Sequence, residues 1–444
     1  MKFLIKNLAK IKEADIEIDG ITVICGNNNT GKTTVGKALF AVFESTLNIY
    51  DRIRKEIASK IINVCQKRGL YINYSSVHDK IDDALRFDIY NLIDKMYSND
   101  YNDIDLLINN FVKKYIRDNV DIIITNGNYI LPRKSSYLYI KELSDEIKKI
   151  ITTPIDSIKK EIISRYFNSI FNEQINNTDE NNIASIDLII KGKTNKIIFD
   201  QNKCKNFNEE IIIGNNIYYI DNPFIIDKIN NSSNGYTLIE KKLLDSLTKD
   251  YSNNMLENII DSVQNKEILD KIEKLFDDAV NGKINKMGSY YYLDKLRFEN
   301  LSTGIKSFLI IRMILRNGVL KEKDLLVLDE PEIHLHPEWQ LLYAETIVLL
   351  QKYLDLTITI TTHSPYFLEA INAYSKLHKI HNRVNFYFAE ADKNNDVTIN
   401  NVNDNINLIF KKMADPLKKL RNMRIEEFDN SKAKNERESF KRNS

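Results

Sequence analysis

The sequence predicts an α/β protein: a mixed sheet with crossover helices and an antiparallel β lobe, interrupted by a large helical insertion. Three observations predict it. Residues 1–25 hold three short strand-like segments, 3–11, 14–18 and 21–25, with Asp19-Gly20 supplying turn chemistry between the second and third. Across residues 47–183 apolar side chains recur every three or four positions, as in 53–64 and 155–170, which is the period of a helix with one buried face. From Tyr290 onward strand-like and helix-like segments alternate quickly, the signature of a parallel sheet whose strands are joined by helices.

The expected organisation follows from these segments. A first lobe of the head covers 1–46, with a helix from Lys32 to about Thr46. The insertion covers 47–183 and carries no sustained heptad, so a long coiled-coil arm is not expected. The second lobe, 184–425, opens on a hairpin around Gly192, continues through the strand-like EEIIIGNNIYYID and enters a second helical stretch at about 238–281. Residues 426–444 are polar and charged without apolar period and are expected to be disordered.

Composition bounds the partners. With 63 basic and 62 acidic residues the formal net charge is +1, so no global field draws the chain to nucleic acid or to an anionic membrane, although a local basic groove stays open. Cys25, Cys65 and Cys204 are odd in number and lack CxxC spacing, which argues against a disulfide framework and a zinc knuckle and suits a reducing cytosol. No uninterrupted run of about 18 apolar residues and no signal-peptide pattern occurs, so the expectation is a soluble, cytoplasmic protein with no membrane partner.

Two stretches carry phosphate chemistry. Gly26-Asn27-Asn28-Asn29-Thr30-Gly31-Lys32-Thr33 fits GxxxxGK[ST] and lies between an apolar strand and a helix, the setting a phosphate-binding loop needs. Glycines at both ends let the backbone curl so that N–H groups point at phosphate oxygens. Lys32 reaches the β- and γ-phosphates, Thr33 ligates magnesium, and Thr34 continues the nucleotide-binding run. Leu325-Leu326-Val327-Leu328-Asp329-Glu330-Pro331 reads as a buried parallel strand ending in two carboxylates. Asp329 would hold magnesium, directly or through water, and Glu330 would polarise the water that attacks the γ-phosphate. The implied cofactors are ATP and Mg2+.

Two further stretches gain meaning from their positions. Leu301-Ser302-Thr303-Gly304-Ile305-Lys306-Ser307 is a polar turn opening an apolar helix, and Ser302 taken alone reads as a helix cap. The β-rich segment 357–361 leads into Thr362-His363-Ser364-Pro365. His334 and His336, two residues apart on a turn, supply too few ligands for zinc.

In order and spacing these motifs resemble the ATP-binding-cassette ATPases: phosphate loop, insertion, signature turn, Asp-Glu strand and a strand ending in a switch histidine. The run from Asp329 to Gln340, DEPEIHLHPEWQ, is similar to the branch containing RecF, SMC proteins, the OLD nucleases and the ATPase subunits of anti-phage systems. The resemblance implies an ATPase that converts ATP to ADP and phosphate between two copies arranged head to tail, as a dimer or a higher oligomer of dimers. It implies that Ser302, Thr303 and Gly304 of one copy face the nucleotide held by Lys32 of the other. His363 would sense the γ-phosphate, with Glu330 and Lys32 as its catalytic companions, and residues 333–337 would meet the partner copy. Thr303 and Ile305 stand where many relatives carry glycine and glutamine, which predicts slow hydrolysis. No Q-loop glutamine is evident, and Asp221 or Asn222 holds its position.

The resemblance extends to the ATPase subunits of Septu, PARIS and some retron systems. It implies a regulatory ATPase whose nucleotide-driven dimerisation controls a separately encoded nuclease or toxin, with the insertion as docking or sensing surface. The alternative is a RecF-like repair ATPase that clamps DNA, which leaves nucleic acid open as a partner. Glu390, Asp392 and Asp396 are read as a solvated turn and not as a nuclease centre.

Overall fold

The computed structural model describes residues 1–67, 78–98, 103–125, 136–177, 183–230, 235–248 and 282–413, with isolated positions at 272, 274, 276, 280, 420, 422 and 423. The expected tail at 426–444 and most of the second helical stretch after 248 lie outside the described residues. The chain divides into two compact units, one of Met1–Leu47 with Ile163–Ser444, the other of Asn48–Ile162.

In the first unit the chain begins with β1 (Lys2–Leu8), β2 (Ile11–Glu17) and β3 (Ile21–Gly26), followed by α1 (Lys32–Thr46). After the second unit come β4 (Ala184–Ile190), β5 (Lys193–Asp200), β6 (Lys203–Asn208) and β7 (Ile217–Ile220). The later strands of the same sheet are β11 (Leu325–Asp329), β12 (Thr357–Thr362), β13 (Val384–Ala391) and β14 (Val397–Asn401). Among the described residues they form an 11-stranded sheet in the order β6-β5-β4-β1-β2-β14-β13-β3-β12-β11-β7. The neighbours from β13 through β3, β12 and β11 to β7 run parallel, whereas β6, β5, β4, β1 and β2 pair antiparallel. The fold is therefore α/β with a mixed sheet, as the sequence predicts. A separate three-stranded antiparallel sheet joins β8 (Ile284–Met287), β9 (Tyr290–Leu293) and β10 (Leu296–Arg297).

Strand burial explains the split between parallel and antiparallel parts. Strands β3, β7 and β11 are buried at every residue and read as continuous apolar runs, the habit of strands covered on both faces. Along β3, Ile21, Val23 and Cys25 point into one core and Ile24 into another; along β11, Leu326 and Leu328 oppose Leu325 and Val327 in the same way. The first core is filled by α7 (Leu238–Thr248), α8 (Thr303–Arg316), α9 (Pro337–Leu354) and α10 (Pro365–Leu377), the second by α1. A short α11 (Asn407–Met413) follows β14.

The second unit contains α2 (Ile49–Lys67), α3 (His78–Tyr97), α4 (Ile104–Thr125), α5 (Ser136–Ile151) and the start of α6 (Ile155–Phe171). Its core is built on helical spacing, for instance Ile53, Ile57 and Ile61 on α2, packed with Ile89, Val112, Leu143 and Ile147. It closes at Ile162 and not at 183 as the periodicity suggests, because Ile163, Phe167 and Ile170 are buried in the core of the first unit. No helix among the described residues is long and apolar enough to cross a membrane.

Candidate nucleotide-binding site

The sheet's register gathers the motifs at one end. Strand β12 lies between β3 and β11, with Thr361 opposite both Ile24 and Asp329, so the loops after Gly26, Asp329 and Thr362 leave the sheet side by side. Ligands of open parallel sheets bind at this carboxyl edge.

The loop from Gly26 to Lys32 is built by backbone constraints. A Cβ on Gly26 would come within 2.6 Å of the Ala389 carbonyl oxygen and 2.8 Å of Thr30 Oγ1, so the strand end admits only glycine. Asn29 and Gly31 both adopt left-handed conformations, φ 65° and 71°, and curl the chain before α1 begins at Lys32. The α1 dipole adds partial positive charge at the same place. Lys32 is only 4% exposed, and its ammonium donates to the carbonyls of Asn27 (2.8 Å) and Gly26 (3.1 Å) while standing 3.6 Å from Glu330 Oε1. Lys10, in the turn between β1 and β2, donates to Asn29 Oδ1 at 2.8 Å and steadies the outer side of the loop.

Asp329 is held from three sides. Its Oδ1 accepts from the Thr33 hydroxyl at 3.1 Å and from the Thr361 hydroxyl, and its Oδ2 accepts from the Tyr219 hydroxyl at 2.8 Å. Burial, and then the Asp329 carboxylate, push the Tyr219 phenol well above its usual range, so it remains a donor. Thr33 and Asp329 thus present a hydroxyl and a carboxylate as adjacent hard oxygens. That donor set fits magnesium, which takes few protein ligands and fills the rest of its shell with phosphate and water.

Glu330, the next residue, has φ 50° and its N–H donates to the carbonyl and hydroxyl oxygens of Thr361, at 3.0 and 3.1 Å. This left-handed turn carries its carboxylate away from Asp329 and toward Lys32. His363 Nδ1 lies 3.6 Å from Glu330 Oε1 and 3.7 Å from Glu332 Oε1.

A cavity of about 710 Å³ opens over these groups. Of the residues singled out in the sequence, Asn28, Asn29, Thr30, Gly31, Lys32, Thr33, Thr34, Glu330 and His363 line it. Gly26 and Asn27 lie beneath as the carbonyls that hold Lys32, and Asp329 stands behind Thr33. Ile333, from the 333–337 stretch after β11, lines it too, and Ala9, Lys10, Gln174 and Asn176 complete the wall; nothing in the local sequence of these last four marks them, because they arrive from a tight turn and from the segment after α6. Ser302, Thr303 and Gly304 do not line it. They form the start of α8, where Ser302 has extended dihedrals and an exposed side chain that makes no capping hydrogen bond. Gly304 packs so closely on Trp339 that a Cβ would meet its ring at 2.9 Å. Asn222 is occupied as a cap, its side chain accepting from Phe224 N at 2.9 Å.

The AAA ATPase domain family model matches residues 1–368. The chain belongs to that family. This AAA ATPase is also similar to Septu protein PtuA of Bacillus thuringiensis, 36% identical in an 89-residue alignment that covers 17% of this chain and 22% of that protein. The AAA ATPase thus spans about a fifth of the length of that relative. Among solved structures it is similar to the SMC head domain from Thermotoga maritima, at 10% identity and a TM-score of 0.35 over 90% of this chain and 98% of the other. It is also similar to an SmcHead bound to the C-winged helix domain of ScpA, at 11% identity and a TM-score of 0.36 over 90% and 97%.

Proposed function

We propose that this AAA ATPase binds and hydrolyses ATP as the regulatory subunit of an anti-phage defence system, and that nucleotide-driven pairing of two copies controls a separately encoded nuclease or toxin in the cytoplasm. The observation that carries the catalytic part is the convergence of Lys32, Thr33, Glu330 and His363 on one cavity with Asp329 directly behind Thr33. Lys32 exchanges the carbonyls of Gly26 and Asn27 for phosphate oxygens, and Thr33 and Asp329 hold magnesium, which supplies charge neutralisation for the phosphates. Glu330 accepts a hydrogen bond from a water and orients it for attack on the γ-phosphorus, with ADP leaving as the bond to its β-phosphate oxygen breaks, and His363 senses that phosphate. Ser302, Thr303 and Gly304 serve a second copy, in keeping with an uncapped, exposed Ser302 outside this copy's own cavity. The defence assignment is supported by the DEPEIHLHP resemblance and by the partial match to a Septu protein.

Glu330→Gln keeps the shape of the site but loses the base. With Mg-ATP it is expected to lower turnover by about a hundredfold or more and to accumulate as an ATP-bound dimer, seen as a doubled mass in light scattering. A Glu330→Gln protein that hydrolyses ATP at the wild-type rate, or stays monomeric when saturated with ATP, contradicts the proposal.

A further inference from the structure

Glu332 is an ionisable residue buried where the proposed chemistry gives it no task. It is 2% exposed, in the loop after β11, and burial pushes its carboxyl above the usual carboxylate range. Desolvating a carboxylate is costly unless donors surround it. Here the donors come from one short stretch: Glu332 Oε1 accepts from the Thr362 hydroxyl, from the His363 N–H at 3.0 Å and from the Ser364 N–H at 3.2 Å. The Thr362 hydroxyl oxygen itself accepts from Ser364 N at 3.0 Å. A second tie runs parallel, with the Ser364 hydroxyl donating to Gln340 Oε1 at 2.8 Å while Gln340 Nε2 donates to the Leu335 carbonyl at 3.1 Å. The loop that follows Asp329 is thereby fastened to the loop that carries His363, and Ile333, adjacent to Glu332, lines the cavity and is half exposed.

We infer that Glu332 is the positioning residue of His363, its carboxylate fixing the backbone on both sides of the imidazole so that Nδ1 stays within reach of Glu330. The inference rests on the reading of the cavity as an ATP site. What matters in this role is the reach of the acceptor and not its charge.

Reach and charge separate in two variants. Glu332→Gln keeps the chain length and an acceptor oxygen, and its kcat for ATP is expected within about threefold of wild type. Glu332→Asp keeps the charge but is one methylene too short to hold the His363 N–H; its kcat is expected to fall by about tenfold to a hundredfold, with KM and Mg-ATP affinity unchanged. Thr362→Val, which removes one donor, is expected to lower kcat in the same sense by less, and it carries the test if Glu332→Asp does not fold. Wild-type turnover in Glu332→Asp or, where that variant does not fold, in Thr362→Val, or a Glu332→Gln as impaired as Glu332→Asp, overturns the inference alone. A wild-type protein that neither binds nor hydrolyses Mg-ATP removes the reading of the cavity as well.

Discussion

Tyr219 shows how a residue that reads as core takes part in the site. Its ring packs edge-on against Phe40 at 6.0 Å, and its hydroxyl is buried against Asp329 Oδ2. Removing that hydroxyl leaves a carboxylate oxygen inside the protein without a partner, a loss of about 1–3 kcal/mol. Tyr219→Phe is therefore expected to lower unfolding stability by that amount in urea denaturation, and an unchanged midpoint would show that Asp329 does not depend on the contact. Nothing in the pattern IYYI distinguishes Tyr219 from its neighbours, since a tyrosine in an apolar strand has the composition of a core residue. Asp329 and Glu330 stand out in the sequence for the opposite reason: two adjacent carboxylates break the apolar run of the strand that they end. Lys10 and Asn176 reach the cavity only by tertiary placement, and single-sequence patterns carry no trace of that.

At the scale of elements, local signals worked where local physics decides. Lys191 and Gly192 at φ 49° and 80° make the tight hairpin between β4 and β5 that the glycine announced. Helix α1 runs over Lys32–Thr46, as the apolar period after the phosphate loop indicates. Asp392 caps the turn between β13 and β14, its Oδ1 accepting from the N–H groups of Asn394 and Asp396. The misses are segments whose composition and pairing disagree. Residues 209–214, apolar enough to read as strand, join none, and β7 is confined to four residues; β6, KCKNFN, lacks strand character yet pairs with β5. The contact that seats α1 on the sheet is Gly36, where a Cβ would meet Val327 Cγ1 at 2.9 Å and Tyr219 Cε2 at 3.2 Å. Gly36→Val is expected to overpack this junction and cost about 1–3 kcal/mol, read as a lower urea midpoint; an unaltered midpoint would mean the helix can lift at no cost.

For the whole molecule, the alternation of strands and helices was enough to indicate a mixed α/β sheet, but not the strand order. Placing β3 between β12 and β13 requires pairings across more than three hundred residues, and loop-closure entropy leaves no local mark of where such pairs form. The same holds for α6. Its period is continuous, yet Ile155, Ile158 and Ile162 serve one core and Ile163, Phe167 and Ile170 another, and periodicity reports that a face is buried without naming what covers it. The account of function depends on this long-range assembly, because Lys32 and Glu330 come from widely separated stretches of the chain and stand 3.6 Å apart.

An equilibrium titration of the wild-type protein and of Lys32→Ala with Mg-ATP, followed by calorimetry, tests that assembly most directly. The expected result is saturable binding of one ATP per wild-type chain and a loss of about a hundredfold or more in affinity when the lysine is removed, the scale of about 2.7 kcal/mol or more for a buried charge contact to phosphate. Equal affinity in the two proteins, or no binding by wild type at millimolar ATP, would contradict it.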